Sequence, residues 1–157
     1  MSSDDGLNAA GGNDGSSMNG RPGQNTFSSS DSDVSITITG GNIYVNASGD
    51  GLDSNGNLYI KGGSVIVDGP QDSGNGALDY DGTCEITGGT LIAAGMSGMA
   101  QMPSDTSSQA SVMITFDQTQ SENTLISLMQ DNDLIIAYAP SKKFNNIVIS
   151  TPSLTKR

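Results

Sequence analysis

Three stretches of the chain, 36–45, 58–67 and 84–93, superpose without a gap. In each, apolar residues alternate with polar ones, stop at a glycine pair and then alternate again. The pairs begin at Gly40, Gly62 and Gly88, so the repeat is 22 and then 26 residues long, within the range of coil-by-coil solenoids. Alternation means a half-buried strand, and the glycine pair means a bend between two strands. Stacking the copies creates four inward columns: Ile36/Leu58/Cys84, Ile38/Ile60/Ile86, Ile43/Val65/Leu91 and Val45/Val67/Ala93. Every column is apolar, whereas the alternate positions Thr37/Tyr59/Glu85 and Thr39/Lys61/Thr87 are mostly polar. The pattern predicts an all-β chain: a right-handed parallel β-helix, a solenoid of roughly four rungs over residues 1–111.

Composition explains why repetition is needed. Hydrophobic residues make up 34% of the 157 residues and aromatics 4%, with 21 glycines, which is little material for an ordinary core. Cys84 is the only cysteine, so no disulfide forms within the chain. Its place in an apolar column makes it a small buried hydrophobe rather than a reactive thiol. There is no histidine, which removes the commonest zinc ligand and general base. The net charge of −11 opposes contact with nucleic acid or anionic membranes and favours cations. No stretch is long and apolar enough to insert in a membrane, and the N-terminus has no signal-peptide core.

A second repeat falls between the strand pairs. Asp5-Gly-Leu-Asn8, Asp50-Gly-Leu-Asp53 and Gly76-Ala-Leu-Asp79 align, with a degenerate fourth copy at Ser97-Gly-Met-Ala100. Read as turns, these copies stack Leu7, Leu52, Leu78 and Met99 toward the core. They also stack Asn8, Asp53 and Asp79, with Asp5 and Asp50 stacked at the start of the turn and Asp81 alongside. Adjacent strands are about 4.8 Å apart, so ionised carboxylates in one column repel by roughly 3 kcal/mol per pair at an effective dielectric of 20. Hard cations relieve such repulsion. Ca²⁺ takes six to eight oxygens at about 2.3–2.6 Å, and Mg²⁺ demands a tighter octahedron. Ca²⁺ is therefore the expected cofactor, with Asp5, Asn8, Asp50, Asp53, Asp79 and Asp81 as candidate ligands. An EF-hand loop is excluded, because Gly51 and Gly62 would occupy its first and twelfth positions.

The runs 3–14, 49–56, 74–82 and 94–101 together resemble a family of bacterial extracellular carbohydrate-binding domain proteins. That resemblance, which covers nearly the whole chain, implies a calcium-containing right-handed parallel β-helix akin to pectate-lyase-type polysaccharide lyases. It implies an extracellular or cell-surface location and an acidic, plant cell-wall polysaccharide as partner. Family members carry a signal peptide and further rungs before Ser3 and continue past Arg157. By resemblance the chain is the C-terminal portion of such a protein, and a calcium site shared with an absent rung would be incomplete at Asp4 and Asp5.

The other segments carry weaker signals. Residues 11–33 form a Gly/Ser/Asn-rich insertion containing Arg21, a solvated loop charge. Residues 95–111 contain Met96, Met99 and Met102, expected to pack against the end of the helix. Four further strands, around 111–116, 124–128, 134–138 and 146–150, are expected to make residues 112–157 an irregular C-terminal β segment packing on the helix.

Three functions follow from this reading. The leading one is non-catalytic, calcium-dependent binding of an acidic, pectin-like polysaccharide, with Tyr44, Tyr59, Lys61 and Tyr80 as the candidate sugar contacts. The second is a calcium-assisted polysaccharide lyase, for which Lys61 is the one candidate base on the helix. The third is a structural module that associates end to end, with calcium serving stability alone.

Overall fold

The computed structural model describes residues 1–10 and 34–155; the insertion at 11–33, with Arg21, and residues 156–157 lie outside the described residues. Thirteen strands and one short 3-10 turn are present among them. The glycine-pair repeats supply β2 (Ser35–Ile38) and β3 (Asn42–Asn46), β5 (Asn57–Ile60) and β6 (Ser64–Asp68), and β8 (Cys84–Ile86) and β9 (Thr90–Gly95). The segments read as turns are themselves partly strand: β1 (Leu7–Ala9), β4 (Leu52–Ser54) and β7 (Leu78–Tyr80). Strands β2, β5 and β8 form one parallel sheet, β3, β6 and β9 a second, and β1, β4 and β7 a third.

Register follows the sequence alignment residue for residue. Ile36 lies opposite Leu58 and Leu58 opposite Cys84, Ile43 opposite Val65 and Val65 opposite Leu91, and Leu7 opposite Leu52 and Leu52 opposite Leu78. A one-residue slip would turn every one of these side chains outward, so burial and register enforce each other. Leu58, Ile60, Val65, Val67, Cys84, Ile86 and Leu91 are all inaccessible to solvent in a single core. Burial pushes the Cys84 thiol up to about 12, the behaviour of an inert hydrophobe.

The glycine pair makes the corner. Gly41, Gly63 and Gly89 have φ of +87°, +88° and +83°, a region that side-chain-bearing residues avoid. At the interior repeats there is also no room for a side chain, since a Cβ on Gly63 would lie 2.6 Å from the Gly41 carbonyl oxygen.

The fourth copy of the leucine repeat does not continue the stack. Ser97–Met99 is a 3-10 turn, and Met99 is 47% exposed instead of joining the Leu52/Leu78 column; Met102 is also exposed. With no further strand to pair, Ala100 N–H bonds back to Ser97 O and the chain leaves the stack. Residues 100–109 then cross the exposed edges of β7 and β8. Gln101 Oε1 accepts from Tyr80 N–H at 3.0 Å, Ser104 Oγ from Cys84 N–H at 2.9 Å and Ser107 Oγ from Ile86 N–H at 2.9 Å. Gln109 Nε2 donates to Gly89 O at 3.0 Å. These side chains supply the hydrogen bonds another strand would make, protecting edges that otherwise recruit foreign strands.

The C-terminal strands are β10 (Ser111–Gln120), β11 (Ile126–Gln130), β12 (Asp133–Tyr138) and β13 (Phe144–Ser150). Strand β13 pairs antiparallel with β9, and β10 with β13, giving a five-stranded sheet in the order β10-β13-β9-β6-β3. The hairpin β11–β12 contributes Ile126, Leu128, Ile136 and Tyr138 to a second core with Ile66 and Ile92. Phe116 and Phe144 meet edge to face within it, centroids 5.9 Å apart.

Asp68 fastens this segment to the parallel sheets. Its carboxylate is buried and accepts hydrogen bonds from Tyr44 Oη at 2.8 Å, Tyr138 Oη at 2.9 Å, Ser141 N–H at 2.9 Å and Ser141 Oγ at 2.6 Å. Lys142 Nζ donates to the carbonyl oxygens of Ala47 and Gly69 beside it; desolvation pulls the Lys142 pKa down, opposed by the Asp68 charge. Replacing Asp68 by alanine leaves these donors without an acceptor and should destabilise the protein by about 2–4 kcal/mol. Denaturant unfolding checks the loss, and hydrogen exchange should show it first in β11 and β12.

Candidate metal centre

The third parallel sheet carries the acidic residues. In it Asn8 lies opposite Asp53, and Asp53 opposite Asp79. Just before each strand the backbone also stacks, with Gly6 N–H bonding to Asp50 O and Gly51 N–H to Gly76 O. A side-chain ladder reinforces it. Asp5 Oδ1 accepts from Asp50 N–H at 2.9 Å, and Asp50 Oδ1 accepts from Gly76 N–H at 2.6 Å. Each aspartate thus ties its own repeat to the next, and the ladder ends where Gly76 replaces the acid.

These constraints bring one carboxylate oxygen each from Asp5, Asp50 and Asp53 within 4.8 Å of one another. Asn8 bridges two of them, its amide Nδ2 donating to Asp5 Oδ2 at 2.9 Å and to Asp53 Oδ2 at 2.7 Å. Four of the six candidate ligands therefore meet. Asp79 stands one repeat further on, outside the triad, and Asp81 is exposed at the start of the following turn.

The electrostatics record the crowding. Asp53 is buried at 6% exposure, and its pKa is pushed up from 3.8 to about 7, first by desolvation and then by the charges of Asp5, Asp50 and Asp79. Asp50 rises to about 6, again mainly through desolvation, although the Gly76 N–H opposes the shift. Asp79 is raised by desolvation and by Asp81 and Asp5. Among the described residues, the charges that act on Asp50, Asp53 and Asp79 are those of other aspartates. A divalent cation would supply the missing positive charge, and the donor set suits a hard one: three carboxylates plus the Asn8 amide oxygen once that amide turns over. Water or ligand oxygens would complete a shell of six to eight.

The candidate sugar-contacting residues do not share one surface. Tyr44 is on β3, where its ring is 56% exposed and its hydroxyl is held by Asp68 and Ser141. Tyr59 and Lys61 share the outer side of the β2-β5-β8 sheet, with Lys61 Nζ 5.6 Å from the Tyr59 ring centroid. Tyr80 follows the acidic column on β7 and donates its hydroxyl hydrogen to Met102 O.

Sequence reading missed Asp68 and the edge-covering residues Gln101, Ser104, Ser107 and Gln109. An outward apolar column, Tyr44/Ile66/Ile92, was the available signal that this face is covered. Nothing in the sequence singles out the polar residues that close the edge. No family model, no curated protein and no solved structure matches the chain.

Proposed function

We propose that the three parallel sheets are the faces of a right-handed parallel β-helix, and that the chain is a non-catalytic, calcium-dependent module binding an acidic, pectin-like polysaccharide. The right hand is that of nearly all parallel crossover connections. The observation that carries the reading is the convergence of the Asp5, Asp50 and Asp53 carboxylates, two of them with pKa values raised to about 6 and 7. A chain of net charge −11 repels a polyuronate unless a cation stands between them. Calcium held by three carboxylates keeps coordination positions free for uronate oxygens, so the same ion that relieves the protein's repulsion can bridge to the sugar. Binding rather than lyase chemistry is favoured because Lys61 follows β5, a strand of a different sheet from β4, which holds Asp53. An extracellular or cell-surface setting fits, since calcium modules there work at about 10⁻⁴–10⁻³ M affinity.

Calorimetric titration with calcium, then with polygalacturonate in calcium and in EDTA, tests this. Saturable calcium binding and calcium-dependent polygalacturonate binding are expected, with no binding of a neutral glucan. Asp53→Asn removes one ligand charge and should weaken calcium binding at least tenfold. Polygalacturonate binding that persists in EDTA would refute the bridging role.

A further inference from the structure

Glycines in the acidic turns do different jobs. A Cβ on Gly6 would lie 2.6 Å from the Gly51 carbonyl oxygen, and one on Gly51 would run into the Ala77 carbonyl oxygen. Both are glycine because the backbone of the next repeat presses on them, so both serve the stack. Gly49 differs. The atom nearest to a Cβ there belongs to a side chain, Asp5 Oδ1 at 2.5 Å, with Asp5 N at 3.0 Å and Asp4 C at 3.1 Å just behind it.

The backbone of the repeat does not itself call for glycine at this position. The φ of Gly49 is not positive, and the corresponding residue of the next repeat is Asn75, which carries a side chain. What the missing side chain permits is visible in Asp5. Its carboxylate lies against the backbone at 49–50, where Oδ1 accepts from Asp50 N–H at 2.9 Å. With Oδ1 held there, Oδ2 accepts from Asn8 Nδ2 at 2.9 Å, and the same amide reaches Asp53 Oδ2 at 2.7 Å. A methyl group at 49 would therefore displace first the end of a rotatable side chain, whereas one at 51 would displace paired backbone.

We propose that Gly49 is a positioning residue of the cation site: by leaving room for the Asp5 carboxylate it fixes one oxygen on the Asp50 amide, turns the other to Asn8, and so sets the affinity of the Asp5/Asp50/Asp53 triad for its ion. This rests on the calcium reading above. Gly49 acts as the groups behind metal ligands do, by holding a ligand's orientation, and loss of such support weakens binding by roughly 10–100-fold.

The test compares wild type, Gly49→Ala and Gly51→Ala by calorimetric titration with calcium, melting in EDTA and hydrogen exchange at the Asp50 amide. Gly49→Ala should bind calcium roughly 10–100-fold more weakly. It should nevertheless melt in EDTA within about 4 °C of the wild-type protein, whereas Gly51→Ala should melt far lower. Its Asp50 amide, deprived of Asp5 Oδ1, should exchange about tenfold faster in EDTA, as it should in Asp5→Ala. Unchanged calcium affinity or unchanged Asp50 exchange in Gly49→Ala would overturn the proposal and leave the calcium reading standing. A melting loss as large as that of Gly51→Ala would overturn it too, by assigning Gly49 to the stack. A wild-type protein that binds no calcium would overturn both together.

Discussion

Calcium at a hundred times its dissociation constant should raise the melting temperature of the EDTA-treated protein by about 5–10 °C at pH 8. Such saturation is worth about 2.7 kcal/mol, and a chain of this size gains about 2–4 °C per kcal/mol. The pH dependence has a definite sign. Asp50 and Asp53 titrate near 6 and 7 in the folded chain against 3.8 when free, so between about pH 4 and 7 the folded state holds more protons than the unfolded one. The metal-free protein therefore loses stability from these groups as pH rises through that window, with the loss complete above 7. Solvent screens the partly exposed Asp50, so most of the fall comes from the buried Asp53. Calcium competes with the same protons, and its stabilisation should shrink as pH falls from 8 to 5. Melting curves at pH 5 and 8, with and without EDTA, check both signs. An equal calcium effect at the two pH values would show that the ion binds somewhere other than this triad.

Gly63→Ala should be severely damaging, while Gly41→Ala should be mild. Both residues have φ near +88°, so both pay a backbone strain of about 1 kcal/mol. Only Gly63 also faces backbone, with the Gly41 carbonyl oxygen 2.6 Å from its new Cβ; Gly41 itself has no described atom within 4 Å. Relieving that contact means separating two hydrogen-bonded strands, which raises the expected cost to about 3–5 kcal/mol. Urea unfolding of the two variants side by side measures the difference. Equal losses would mean that φ alone dictates glycine at the corner and that stacking distance does not matter there.

Much of this architecture was legible in the residues because a stacked repeat reduces a three-dimensional question to a one-dimensional one. If Ile36, Leu58 and Cys84 align in sequence, parallel pairing aligns them in space, and their shared burial follows. The acidic column Asn8/Asp53/Asp79 and the Asp5/Asp50 pair were readable for the same reason. Four C-terminal strands were also visible as alternating runs, although nothing local tells an alternating strand which edge to join.

The tertiary structure alone decided the rest. Which acids converge depends on side-chain direction and on where the ladder stops: Gly76 ends it, and Asp79 and Asp81 stand apart from the triad that repetition alone would have extended to them. Met99 fits the leucine pattern, yet the absence of a following strand turns it to solvent. Asp68 looks like an ordinary strand-end acid, but contacts arriving from Tyr138 and Ser141, some 70 residues later, make it the fastening of the second core. Periodic features were set by the sequence because each copy constrains the next. Ends, edges and long-range polar contacts were not, because they depend on what the chain meets where the repetition stops.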